Sequence, residues 1–215
     1  MLTLLNIMNW KHRRKGLGIS QAELAPRVGI SRTALSLIEN GHLRPSGRTA
    51  ASLERALDPF SRPVRLVHGG GPLAAAGEIR DASAAARLPY ALTLDVAAWF
   101  LTRYQTPGAA WVYVRPFDRW TALLRRRGVR AAGPLRRADL VLLRAPDDVL
   151  RDARQVEGYV LASPRRVLAD AARLGGRHGL DAARLYLDFP EAREPGLRLD
   201  PDALLKVFEE AATWT

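Results

Sequence analysis

The sequence predicts two dissimilar domains in one chain: an all-α N-terminal domain of four to five helices, then an α/β or α+β C-terminal domain. Three observations lead there. Residues 1–57 carry helix caps and apolar residues at helical spacing. Proline and glycine then cluster at Pro59, Pro63, Gly69-Gly70-Gly71 and Pro72, marking a junction. Beyond them, short apolar runs alternate with capped helical segments. A length of 215 residues suits two domains of roughly 100–200 residues each. The expected boundaries are 1–58 for the first domain, 59–89 for a junction, and 90–215 for the second.

A first helix is expected from about Leu2 to Lys15, ending at Gly16, with cations in its last turn where the helix dipole favours them. Ser20-Gln21-Ala22-Glu23 is a capping box that opens a second helix. Val28-Gly29-Ile30 makes a turn, and Ser31 caps a third helix over Arg32–Glu39, stopped by Asn40-Gly41. A fourth runs from Gly47 to about Leu57. Leu24, Val28, Ile30, Leu35, Ile38, Leu53 and Leu57 supply the core. A strand is expected at Val64–Val67, and Ala74–Ala86 reads as mobile or loosely helical. Thr93 opens a helix to about Tyr104. Strands at Trp111–Arg115, Leu140–Arg144 and Tyr159–Ala162 alternate with helices at Phe117–Arg127 and Asp147–Arg154, the latter a helix or a long turn. Ser163 caps a helix whose first residue is Pro164, running to Leu174. Helices at Leu180–Leu187 and from Asp200-Pro201 to about Ala212 complete the chain.

Composition narrows the function. The formal net charge is +11 and the sequence pI about 11.0, which favours a polyanionic partner through counterion release. Lys11, Lys15 and Lys206 are the only lysines; the rest of the 33 basic residues are arginine, a bias that a GC-rich genome also produces. There is no cysteine, so disulfides, thiolate zinc sites and cysteine nucleophiles are excluded. No apolar run approaches the ~20 residues that span a bilayer, and Met1–Asn6 lacks the basic start of a signal peptide. A cytoplasmic protein without membrane association is expected.

Ser20-Gln21-Ala22-Glu23-Leu24-Ala25, Gly29-Ile30-Ser31, and Ile38-Glu39-Asn40-Gly41 followed by Arg44-Pro45 resemble the Cro/repressor (xenobiotic-response-element) type of helix-turn-helix. The resemblance covers about 55 residues and implies a DNA-binding domain at 1–58. By position it implies that Arg32, Thr33, Ser36 and Leu37 face base edges in the major groove. Arg32 would fork onto guanine, and Thr33 and Leu37 would meet thymine methyl groups. It also implies that Gln21, Asn40 and Arg44 contact phosphates and set position rather than sequence preference. Pro26 departs from the pattern: it removes a helical hydrogen bond and is expected to kink or shorten the second helix.

In the second half, Tyr90-Ala91-Leu92-Thr93, Trp111–Arg115, Gly158–Pro164, Val167-Leu168-Ala169-Asp170 and Gly175-Gly176-Arg177 resemble AbiEi-type antitoxins and related bacterial regulators. That resemblance implies autoregulation of an operon and neutralisation of a cognate toxin protein. The reading overall is a sequence-specific DNA-binding transcriptional regulator, a repressor; the alternative is an antitoxin that autoregulates its operon. The expected partners are double-stranded DNA, a second copy of the chain and, on the alternative, a toxin.

Other constellations carry less. His68-Gly69-Gly70-Gly71 resembles a hydrolase oxyanion loop, but no Gly-x-Ser-x-Gly elbow accompanies it. His12, His42, His68 and His178 show no His-x-x-x-His or Glu-x-x-His spacing, so no metal is expected. Asp147, Asp148 and Asp152 read as a solvated helix start, and Asp170 as an ion-pair partner of Arg166. Phosphate-binding glycine motifs are absent, and neither a cofactor nor catalysis is expected. Trp111–Trp120 interleaves aromatics and arginines, yet both faces of Trp111–Val114 are apolar, which reads as a central strand. Arg125, Arg126, Arg127, Arg130, Arg136 and Arg137 form an exposed basic face, a possible second phosphate contact.

Overall fold

The computed structural model describes residues 4–133 and 137–190. The helix expected near 200–212, Lys206 and Arg136 lie outside the described residues. Four helices build the N-terminal domain: α1 (Leu4–Gly16), α2 (Gln21–Val28), α3 (Arg32–Glu39) and α4 (Gly47–Ala56). Local chemistry sets each boundary. Ser20 Oγ accepts from the Glu23 amide while Glu23 Oε2 accepts from the Ser20 amide, closing the capping box. Ser31 and Ser46 cap α3 and α4 in the same way, accepting from Ala34 and Thr49. Gly29 closes α2 at φ 77°, a left-handed conformation that suits glycine. The helix runs through Pro26 to Val28, and Pro26 is exposed, so its missing N–H leaves no buried carbonyl crowded; at eight residues α2 is short. Trp10, Leu17, Ile19, Leu24, Ala25, Leu35, Ile38, Leu53 and Leu57 form the buried core of this domain.

A 3-10 turn at Pro59–Ser61 leads into a seven-stranded mixed sheet. Its elements in chain order are β1 (Val64–Val67), α5 (Gly71–Ala86), β2 (Tyr90–Thr93), α6 (Leu94–Thr102), β3 (Ala110–Val114), α7 (Phe117–Arg126), β4 (Arg130–Ala131), β5 (Leu140–Arg144), α8 (Asp147–Arg151), β6 (Arg154–Val156), β7 (Tyr159–Leu161), α9 (Pro164–Leu174) and α10 (Gly176–Asp188). The strand order is β4-β1-β5-β3-β2-β7-β6. The pairs β3–β5 and β2–β7 are parallel; β2–β3, β1–β5, β1–β4 and β6–β7 are antiparallel. Register puts Leu92, Val112 and Leu142 on one face and Ala91, Tyr113 and Leu143 on the other. The first face meets α7, where Trp120 packs against Tyr90, and α5, whose Arg80 stacks on Tyr159. The second is covered by Phe60, α9 and α10. With helices on both sides, the central strands are buried except at Trp111 and Arg144, which are half-buried.

The stretch 59–89, expected as a junction, differs from that expectation. β1 pairs on both of its edges, and Ala75, Ala76, Ile79 and Ala82 of α5 are fully buried. The glycines of His68–Gly71 turn the chain from β1 into α5, and Asp139 clamps that turn by accepting from the amides of His68 and Gly69. The alanine-rich segment is a regular helix because small side chains let it approach the sheet. Strands β4 and β6 escaped the sequence reading as edge strands of two and three residues, and β2 because it is buried on both faces and shows no alternation.

The helical domain rests against the carboxyl ends of the parallel pair β3–β5. Arg115, just past β3, donates to the Gly16 carbonyl at 3.1 Å and pairs with Asp147 at the start of α8. Arg144, ending β5, lies 3.8 Å from Glu23 and stacks on Phe117. Arg173 of α9 reaches Asp58.

Candidate nucleic-acid interface

The face of α3 is set by its hydrophobic period. Leu35 and Ile38 point into the core at 0% and 2% exposure, and Glu39 is buried beside them. The opposite face presents Arg32 and Thr33, both exposed, Ser36, half-buried, and Leu37, 41% exposed. These are the four residues expected to face bases, and the structure places them on one side of one helix. Leu37 is a large apolar side chain exposed on an otherwise polar face.

Gln21, Asn40 and Arg44 flank that face. Gln21 is the first residue of α2, where backbone N–H groups lack helical partners. Its Nε2 donates to Glu39 Oε2 at 2.8 Å, so the amide is anchored to α3. Asn40 ends α3 and is exposed, with Oδ1 accepting from Lys11 Nζ at 2.8 Å. Arg44 is exposed in the segment between α3 and α4, next to buried Pro45. His42 and Arg48 are exposed in the same region.

Sequence reasoning missed the group that holds this face in place. Arg14 of α1 is 7% exposed and donates from Nε and Nη2 to the two oxygens of Glu39, at 2.6 and 2.9 Å, and from Nη1 to the Ile19 carbonyl at 2.8 Å. Burial pushes the Glu39 carboxyl up, but hydrogen bonds from Arg14 and Gln21, with the charges of Arg14 and Lys11, carry it below its usual value. One carboxylate thus ties α1, α2 and α3 together. Trp10 and Arg13 both donate to Glu54, which fastens α1 to α4. Nothing local marks these pairs, which lie 25 and over 40 residues apart in sequence.

The second domain places its singled-out residues differently. Tyr113 is buried in the core and Trp111 packs, half-buried, against it, as a central strand allows. Asp170 pairs with Arg166 at 2.9 Å, accepts from Thr93 at 2.7 Å, and meets the Tyr113 hydroxyl at 3.0 Å. Burial pushes the Asp170 carboxyl and the Tyr113 hydroxyl upward. Arg125 and Arg126 are exposed, while Arg127 pairs with Glu78. Asp147 is engaged by Arg115. A cleft of about 900 Å³ lies between the domains, lined among others by Arg13, Arg55, Asp58, Asp147, Arg151 and Arg173.

Residues 11–61 match the family model described as Helix-turn-helix. With the geometry of α2, the Gly29 turn and α3, this defines the N-terminal segment as a helix-turn-helix domain of the Cro/C1 type, a class that implies sequence-specific DNA-binding regulation. The match ends inside the 3-10 turn and leaves the sheet domain outside it. No curated protein matches the chain. The resemblance of the sheet domain to AbiEi-type antitoxins therefore stands on its sequence motifs alone. Among the described residues, no helix is long and apolar enough to cross a membrane.

Proposed function

We propose that the protein is a transcriptional repressor that reads duplex DNA with α3 as part of a two-fold dimer and acts by binding rather than catalysis. The observation that carries this reading is the division of α3 into a core face, Leu35, Ile38 and Glu39, and an exposed face, Arg32, Thr33, Ser36 and Leu37, on a segment matching the helix-turn-helix family. In this role Arg32 forks onto a guanine and Leu37 and Thr33 contact thymine methyl groups. Gln21, through its free backbone N–H and its anchored amide, engages one phosphate, and Asn40 and Arg44 engage the next. The sheet domain supplies the dimer contact and senses a signal. The cleft between the domains supports the sensing role, since its walls come from α1, α4, α8 and α9 together.

The test is selection from a random duplex pool followed by titration of the selected fragment at two salt concentrations. The reading predicts an enriched site with two related half-sites about one helical turn apart. It also predicts an affinity that falls at least ~10-fold between 50 and 200 mM salt, as release of counterions from several phosphates requires. A folded sample that enriches no sequence and binds no duplex overturns it.

A further inference from the structure

On the face of the sheet away from α7, three side chains distant in sequence converge. Asp95 opens α6; His178 and Asp181 lie one turn apart on α10, a spacing that puts both on one side of a helix. One ligand atom from each lies within 4.8 Å of the others. Asp95 and Asp181 are 5% and 4% exposed. The amides of Gly108 and Ala109 both donate to Asp95 Oδ2, at 2.8 and 3.0 Å, which fixes the carboxylate and directs Oδ1 toward the histidine. Asp95 Oδ1 and His178 Nδ1 face each other as an ion pair 2.7 Å apart. Trp111 packs edge-on to the imidazole at 6.1 Å and walls the cluster on the strand side.

Ligands ~2.1 Å from a metal sit ~3.0 Å apart at right angles and ~3.4 Å apart in a tetrahedron, so a shift of well under ~1 Å opens the pair to an ion. We propose that Asp95, His178 and Asp181 bind a divalent first-row transition cation of the zinc or manganese class. Two carboxylates cancel the charge of a dication, and an imidazole nitrogen selects this class over magnesium and calcium, which take oxygen ligands. The bound ion clamps α10 onto α6 and the loop before β3. The His-x-x-x-His and Glu-x-x-His spacings weighed in the sequence do not include this pattern; the signal here is His-x-x-Asp with a carboxylate 83 positions upstream. This site is independent of the DNA-reading face.

The test uses the tag-free full-length chain, stripped with chelator and titrated with zinc chloride and manganese chloride by calorimetry, with thermal melts alongside. The expected result is one ion per chain for at least one of the metals, and a melting point raised by roughly 5 °C or more at saturating metal, because the unfolded chain lacks the site. His178→Gln and Asp181→Asn should each weaken binding at least ~10-fold and remove the thermal gain, while His12→Gln, on exposed α1, leaves both unchanged. Asp181→Asn keeps side-chain volume and serves if His178→Gln folds poorly. No heat and no thermal shift with either metal in the unsubstituted chain overturns the proposal. So does binding that survives both substitutions, which would place the ion on other groups.

Discussion

Arg14 of α1 grips Glu39 at the end of α3 with two parallel hydrogen bonds, 2.6 Å from Nε and 2.9 Å from Nη2, and both side chains are buried. The helix that presents Arg32, Thr33, Ser36 and Leu37 is therefore positioned by an ion pair on its hidden side. Removing one partner leaves a buried charge alone, so Glu39→Gln should cost about 3–5 kcal/mol. The double replacement Arg14→Met with Glu39→Leu should recover much of that loss. Urea denaturation of the two variants beside the unsubstituted chain checks this; a loss under about 0.5 kcal/mol for Glu39→Gln would show that the pair is not structural.

The same carboxylate gives a pH dependence. Glu39 is held below its usual value of 4.5 when folded. Its contribution is therefore fully present above pH ~4.5 and is lost as the pH falls through the lower folded value. Thermal midpoints should drop on acidification from pH 5, and the drop should be shallower in Glu39→Gln. Glu23 and Glu54, also held below 4.5, share the same direction, so some slope should survive the substitution. Identical slopes in both proteins would contradict the assignment.

In the sheet domain, the Tyr113 hydroxyl donates to Asp170 and accepts from Arg166 Nη2 at 2.6 Å. Tyr113→Phe strips one member from a buried network and should destabilise the protein by about 1–3 kcal/mol. DNA affinity of the folded variant should be unchanged, because α9 and β3 lie outside the helical domain. A loss of affinity without a loss of stability would assign the network a role in binding.

The dimer is tested by sedimentation equilibrium of the full chain at micromolar concentration. The expected mass is twice the 23.7 kDa of one chain. A single-chain mass, retained with a two-half-site duplex present at one protein per duplex, would remove the two-fold model.

What the sequence made legible depended on range. Ser20, Ser31, Gly29 and Gly41 act within a few residues of themselves, so α2 and α3 were readable to within a residue, and with them the exposed face of α3. Expectations failed where the deciding contact is remote. Ala75, Ala76 and Ile79 read as loose because helical alanines carry no marked stripe, and only the sheet beneath them makes α5 a buried helix. Pro59–Pro89 read as a junction because turn residues separate β1 from α5, while the pairing of β1 with β5 spans over 70 residues. Glu39 looked like a helix end; its role appears only when Arg14 and Gln21 are brought to it. Asp95 and His178 are 83 positions apart and meet only through the packing of α10 on α6.

If α3 reads sequence while its flanks hold the backbone, Arg32→Ala and Arg44→Ala separate the two effects. Anisotropy titrations of both variants on a selected duplex and on its scrambled counterpart give the comparison. Arg32→Ala should lose about 1–3 kcal/mol on the selected site and little on the scrambled one. Arg44→Ala should weaken both alike and lower the salt slope by about one. If Arg32→Ala leaves the preference intact while Arg125→Ala and Arg126→Ala abolish binding, DNA is held nonspecifically by the arginine face of the sheet domain and α3 does not read sequence.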